Sequence, residues 1–135
     1  MNAVSQVLAG LCVLGMVACG SSPTGPTSPL NREFTLSPGE EAQIEGSRLK
    51  VQFLNVTGDS LCPADVVCIL GGDAIIHVRA SSSFASDYEL HTGDSRRARV
   101  GHDGFFIQLV QLQPYPFSSR TIDPGTYRLT LTVSR

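Results

Sequence analysis

Few side chains in this sequence are of a type and spacing that could do chemistry. Cys62 and Cys68 lie in the segment 59–73, DSLCPADVVCILGGD, with five residues between them. In an oxidising compartment such a pair is expected to form a disulfide. Closing so small a loop restricts the unfolded chain by roughly 2–2.5 kcal/mol on an entropic account. Redox couples usually space their cysteines more closely, and zinc needs more ligands than two thiolates. Pro63 stiffens the loop, and Gly71-Gly72 lets the chain re-enter a strand. Asp59 and Asp73 flank it. Two carboxylates could pass protons to and from a substrate, but aspartate before serine or after Gly-Gly is commonly turn chemistry. Of the three histidines, His77, His91 and His102, the first two could make a metal site with Asp73, Asp94 or Asp103, yet their spacing singles out no site. His77 and His91 are instead predicted on outward, solvated strand faces, where they could meet across a sheet. No serine sits in a G-x-S-x-G elbow and no Gly-Lys phosphate cradle occurs. No catalytic residue, metal or cofactor is assigned.

Two stretches offer surface for recognition rather than reaction. The segment 91–99, HTGDSRRAR, carries Arg96, Arg97 and Arg99, which could grip a carboxylate, phosphate or sugar acid; equally, it reads as an exposed hairpin loop. The segment 113–117, QPYPF, is held extended by its prolines, and Tyr115 and Phe117 present apolar area at little entropy cost. Equally, these two aromatics could cover one end of a core.

The elements that must position these residues begin with a change of material. No charged side chain precedes Arg32, although the chain of 135 residues carries 10 Lys+Arg and 12 Asp+Glu. A net charge of -2 gives no global field to attract nucleic acid, so none is expected as a partner. The apolar run 7–19, VLAGLCVLGMVAC, is short of the about 20 residues that span a bilayer but suits the core of an export signal. Val17-Ala18-Cys19-Gly20 resembles the lipobox of bacterial lipoproteins. That resemblance makes residues 1–18 a removed leader and Cys19 the lipidated residue. It departs in Met16, where leucine is usual, and in MNAVSQ, which has no Lys or Arg. Ordinary leader cleavage, releasing a soluble protein, is the alternative. Residues 20–29, GSSPTGPTSP, contain only Gly, Ser, Thr and Pro, so 19–32 is predicted to be an extended, solvated tether. Gly20 is not aspartate, which by analogy with the enterobacterial sorting rule favours the outer membrane. The expected setting is the cell envelope, with the membrane contacted through the N-terminal lipid.

From residue 33 onward Gly and Pro punctuate short alternating runs, and no long helical period appears. Strands are predicted near 34–36, 42–44, 48–57, 74–80, 87–92, 105–112 and 127–133. In 48–57 the alternation slips at Leu54 and Val56, which suggests a bulge or a change of sheet. The run FFIQLVQL at 105–112 is apolar on both faces and is expected to be central. About 7–8 strands with frequent turns predict an all-β chain, a single antiparallel β-sandwich of immunoglobulin-like or related barrel form.

The cysteine segment also carries a family resemblance. DSLCPADVVCILGGDA is similar to the DSRCP…CxWAGxA motif of a family of small bacterial lipoproteins. Their later sequence tends to hold a Leu-x-x-Leu-x-Pro strand end and a terminal strand containing tyrosine. Here Leu109, Leu112 and Pro114 match the first, and 127–133 the second, so the likeness spans the body from 33 on. Leu61 replaces the usual arginine and Leu70 the usual tryptophan. If that tryptophan binds a ligand in relatives, the surface is lost here; if it packs over the disulfide, leucine substitutes for it. The resemblance implies export, lipidation and a binding or structural role, and no activity. The functional expectation is a non-enzymatic, lipid-anchored module that holds an envelope protein or polymer. The alternatives are a secreted or envelope inhibitor of a hydrolase and, last, a metal-dependent envelope enzyme.

Overall fold

Alternation of apolar and polar residues with period two builds this protein from strands, because successive side chains leave opposite faces of the pleat. A computed structural model describes residues 25–135. The leader 1–18, Cys19 and the tether as far as residue 24 lie outside the described residues. The strands are β1 (Thr27–Ser28), β2 (Glu33–Leu36), β3 (Glu41–Ile44), β4 (Lys50–Asp59), β5 (Ala74–Ser81), β6 (Ala85–His91), β7 (Arg99–His102), β8 (Phe105–Gln113) and β9 (Arg128–Ser134). A single 3-10 turn, Pro124–Thr126, precedes β9.

Among the described residues nine strands form two sheets, one ordered β1-β3-β4-β5-β6 and the other β2-β9-β8-β7. Apart from β1, which runs parallel to β3, every pairing is antiparallel. The inward residues of both sheets make one core. Ile44, Leu49, Val51, Phe53, Ile76, Val78 and Leu90 come from the first side, and Leu36, Ile107, Leu129, Leu131 and Val133 from the second, all fully buried. The architecture is the β-sandwich that the alternation implied.

Of three expectations, the first is met in its bulge form and the other two need adjustment. The slip in β4 is a pair of register shifts, at Phe53/Asn55 and Val56/Gly58; the strand stays paired with β5 throughout and does not change sheets. The run at 105–112 is central, lying between β9 and β7, but only one face is buried. Phe106 and Val110 point outward, each about two-fifths exposed. The third concerns the tether, drawn through Arg32 with the body beginning at residue 33. Thr27 and Ser28 pair with Gln43 and Ile44, Pro26 O and Ser28 O accept from Gln43 N and Glu45 N, and Ser28 is buried. Threonine and serine need no apolar surface to add backbone hydrogen bonds to an open sheet edge. Gly25 shows how close the contact is: a Cβ there would lie 1.5 Å from the Glu41 carbonyl oxygen.

β4 and β5 carry everything at their shared end. The register Asp59↔Ala74 closes the ladder, and residues 60–73 leave it as the loop containing both cysteines. Gly72 turns the chain back at φ +72, where a Cβ would meet the Ser60 carbonyl at 1.8 Å. Only glycine fits that turn.

Candidate functional site

At the Asp59 end of the sandwich the ladder stops and backbone groups of the connecting loops must find partners. Ser60 N donates to Asp73 O at 2.8 Å and Cys62 N to Gly71 O at 3.1 Å, which closes the neck of the loop. Cys62 and Cys68 are joined as a disulfide, with Cα atoms 5.9 Å apart. Beyond the neck the loop meets the segment after β8. Ala64 N donates to Pro116 O at 2.8 Å, and Ser118 donates to Asp65 through both its N–H and its hydroxyl. The two hydrogen bonds hold the fully exposed Asp65 carboxyl below its ordinary pKa.

This second loop holds Tyr115 and Phe117, both about half exposed, so the recognition residues expected from the sequence stand beside the disulfide. The disulfide loop adds a larger apolar surface that the sequence reading did not single out. Val67 and Ile69 are fully exposed, Leu70 is 81% exposed and Val66 44%. Scattered exposed apolar residues are ordinary, but four within five positions of one bridged loop form a patch. The signal was present in VVCIL: apolar residues without alternation, caught between Pro63 and Gly71-Gly72, cannot reach a core. A cleft of about 150 Å³ is lined by Leu61, Thr92, Ala98, Leu112 and Tyr115, and by none of the patch residues.

The arginines are divided. Arg99 lies on β7 with its guanidinium 4.0 Å from the Phe106 ring centre, on the outer face of the second sheet. Arg97 pairs with Glu89 at 3.7 Å, and the Arg96 backbone N–H donates to Asp94 in the turn after β6. No single anion grip is built from the three.

Asp59 and Asp73, the flanking carboxylates, are both engaged in holding the loop. Asp59 accepts from Leu61 N–H and from the buried Tyr127 hydroxyl at 2.7 Å. Burial first, then the hydrogen bond and charge of Asp59, raise the Tyr127 pKa far above a free phenol's. Asp73 accepts from His91 Nδ1 at 2.5 Å and from Gly93 N at 2.8 Å. Burial pushes the Asp73 carboxyl up, but those donors outweigh it and hold the pKa below the ordinary value.

His91 is therefore not a solvated strand residue. It is 4% exposed, covered where the turn after β6 folds back and Arg97 O accepts from its backbone N–H. Nor does it meet His77, which pairs with Glu89 in register and bonds Thr57 at 2.7 Å. A histidine oriented by an aspartate resembles half of a nucleophile-activating relay, yet Nε2 of His91 is buried and has no hydrogen-bond partner.

At the opposite end Ser82 lies 3.1 Å from His102 Nε2. Hydrogen-bond direction decides what this pair can do. The Ser82 hydroxyl donates to Asp103 at 2.6 Å, so His102 must donate to Ser82 and accept at Nδ1 from Tyr88 at 2.9 Å. The imidazole already carries a proton where a general base would need a lone pair, and Ser82 is not activated. The chain Tyr88, His102, Ser82, Asp103 clasps the β5–β6 turn to the β7–β8 turn. Among the described residues no cluster of three His, Cys, Asp or Glu can hold a metal ion.

Two predictions arise here. Replacing both Cys62 and Cys68 by serine is expected to lower stability by about 2–2.5 kcal/mol by chemical denaturation, with the sheets intact, because the loop keeps its other ties. A carboxyl whose folded pKa is lowered stabilises above the unfolded value of about 3.9 and loses that contribution as pH falls through the folded value. Stability should therefore fall below about pH 4. Asp73→Asn should flatten the fall in part, since Asp65, Asp87 and Asp103 are lowered too. Denaturation midpoints from about pH 6 to about pH 2 check this.

Compared with known proteins, the chain matches no family model, no curated protein and no solved structure.

Proposed function

We propose that this protein is a lipid-anchored, non-enzymatic binding module of the cell envelope, attached through Cys19 to the outer membrane, and that its working surface is the disulfide-loop end. The observation carrying this reading is the exposed apolar patch of Val66, Val67, Ile69 and Leu70, on a loop tied to the segment of Tyr115 and Phe117. A monomer rarely leaves such a patch open unless something covers it. Val17-Ala18-Cys19-Gly20 supports the anchor, as does the resemblance of 59–74 to small bacterial lipoproteins. The two histidine arrangements support a holding rather than a transforming role. One has no nucleophile on its buried nitrogen, and the other has its proton on the wrong atom.

A photo-crosslinking residue at position 115 of the full chain, expressed with its own leader, tests the site. A discrete cross-link to an envelope component is expected. A cross-link to an exported hydrolase would favour an inhibitor, a reading that the protruding bridged loop also suits. Metabolic labelling with an alkyne fatty acid tests the anchor, and Cys19→Ser should abolish the label.

A further inference from the structure

We propose that the disulfide-loop end docks on the lipid bilayer itself, with Val66, Val67, Ile69 and Leu70 entering the acyl region beside the Cys19 anchor; this rests on the lipidation of Cys19 proposed above and names the membrane as the envelope component that the working surface holds. Three independent observations converge on it.

The first is direction. β1 runs parallel to β3, and β3 antiparallel to β4, with Thr27↔Gln43 and Gln43↔Lys50. Backwards from Thr27 the chain passes Gly25, level with Glu41 and hence with Gln52. It is therefore heading along β4 toward Asp59, the end from which the disulfide loop projects.

The second is reach. Gln52 is level with Arg79 and Asp59 with Ala74, five residues apart on β5. That is a distance of about 17 Å at about 3.3 Å per residue. Cys19 lies six residues before Gly25, a span of at most about 20–22 Å. The length of chain between Cys19 and Gly25 is thus enough to span from Gly25 to the base of the loop.

The third is the chemistry of that end. Aliphatic side chains occupy the tip, and Tyr115 and Phe117 flank it as aromatics do at a membrane interface. Within the loop Cys62 N, Ala64 N and Val66 N donate to Gly71 O, Pro116 O and Pro63 O, and Asp65 is turned back onto Ser118. The other end of the sandwich borders a cleft of about 340 Å³ with Arg48, Ser82, Ser83, Asp103 and Arg135, and offers Phe84 as an exposed apolar side chain.

The sequence contains no tryptophan, so single reporters are available at either end. Leu70→Trp and Phe84→Trp both replace exposed side chains. Each full-length variant, expressed with its own leader and purified from membranes in detergent, is reconstituted into phosphatidylcholine vesicles with acyl chains brominated or not. Trp at 70 is expected to emit blue-shifted light and to lose most of its emission to the brominated chains. Trp at 84 should do neither. Flotation of the same samples reads the anchor separately. Protein that floats while position 70 stays unquenched overturns the docking and leaves the anchor standing. Protein that does not float overturns both. A blue shift at 70 without quenching assigns the patch to a second copy or another protein and overturns the proposal.

Discussion

Cutting the chain after Tyr127 yields a protein with no cooperative melting transition and an expanded hydrodynamic radius. The cut removes β9, which lies inside its sheet between β2 and β8. Leu129, Leu131 and Val133 leave the core with it, all fully buried. Three side chains at about 1.5–3 kcal/mol each already match much of the about 5–15 kcal/mol that holds a domain together. The backbone partners of β2 and β8 are lost besides, including all four register pairs of β2. Removing only Ser134 and Arg135 should leave a folded protein, since their side chains lie outside the core. Circular dichroism melts of the two truncations make the comparison. A cooperative transition in the longer deletion would show that the second sheet does not need its inner strand.

Phe53→Ala carries the second large expectation, a loss of about 3–5 kcal/mol. Phe53 is among the largest fully buried side chains and sits at the first register shift of β4. Neighbouring residues on that strand are held by pairing to β5, so the surroundings can collapse little into the void. Phe106→Ala is the matched comparison. Its ring is 41% exposed and stacks under Arg99, so about 1 kcal/mol or less should be lost. Urea denaturation of both variants separates them. Equal losses would mean that the two phenylalanines are equally central, contrary to their burial.

That pair also shows where the sequence was legible. Alternation identified the strands and most inward positions, because a two-residue period leaves one reading of which face is buried. In FFIQLVQL every position but two is apolar, so nothing in the pattern told Phe106 from Phe105 or Val110 from Leu109. β7 escaped for a different reason. Asp103 and Gly104 both have positive φ, the geometry of a two-residue hairpin turn that Asp-Gly favours. The incoming strand is only four residues of mixed character, Arg99–His102; its first residue ends the segment read as a loop and the other three fall in no predicted element. His91 was misread because its position on the sheet is indeed outward, while its burial comes from a turn that closes over it and from Asp73, eighteen residues away. Cys62 and Cys68 were legible from spacing and setting. The patch on either side of Cys68 was not, because an apolar run is read by default as interior, and only the closed neck of the loop shows that this one cannot turn inward.

The parallel seam between β1 and β3 gives the body a mechanical fuse. A pull from the N-terminal side loads it lengthwise, against a two-pair ladder whose outer links are Gln43 N to Pro26 O and Glu45 N to Ser28 O. The next restraint is Asn31 N on Val133 O. If the seam parts, the residues from Gly25 to that restraint pay out as slack, about 20 Å at full stretch. The other eight strands stay in place, so the molecule has a leash of two lengths.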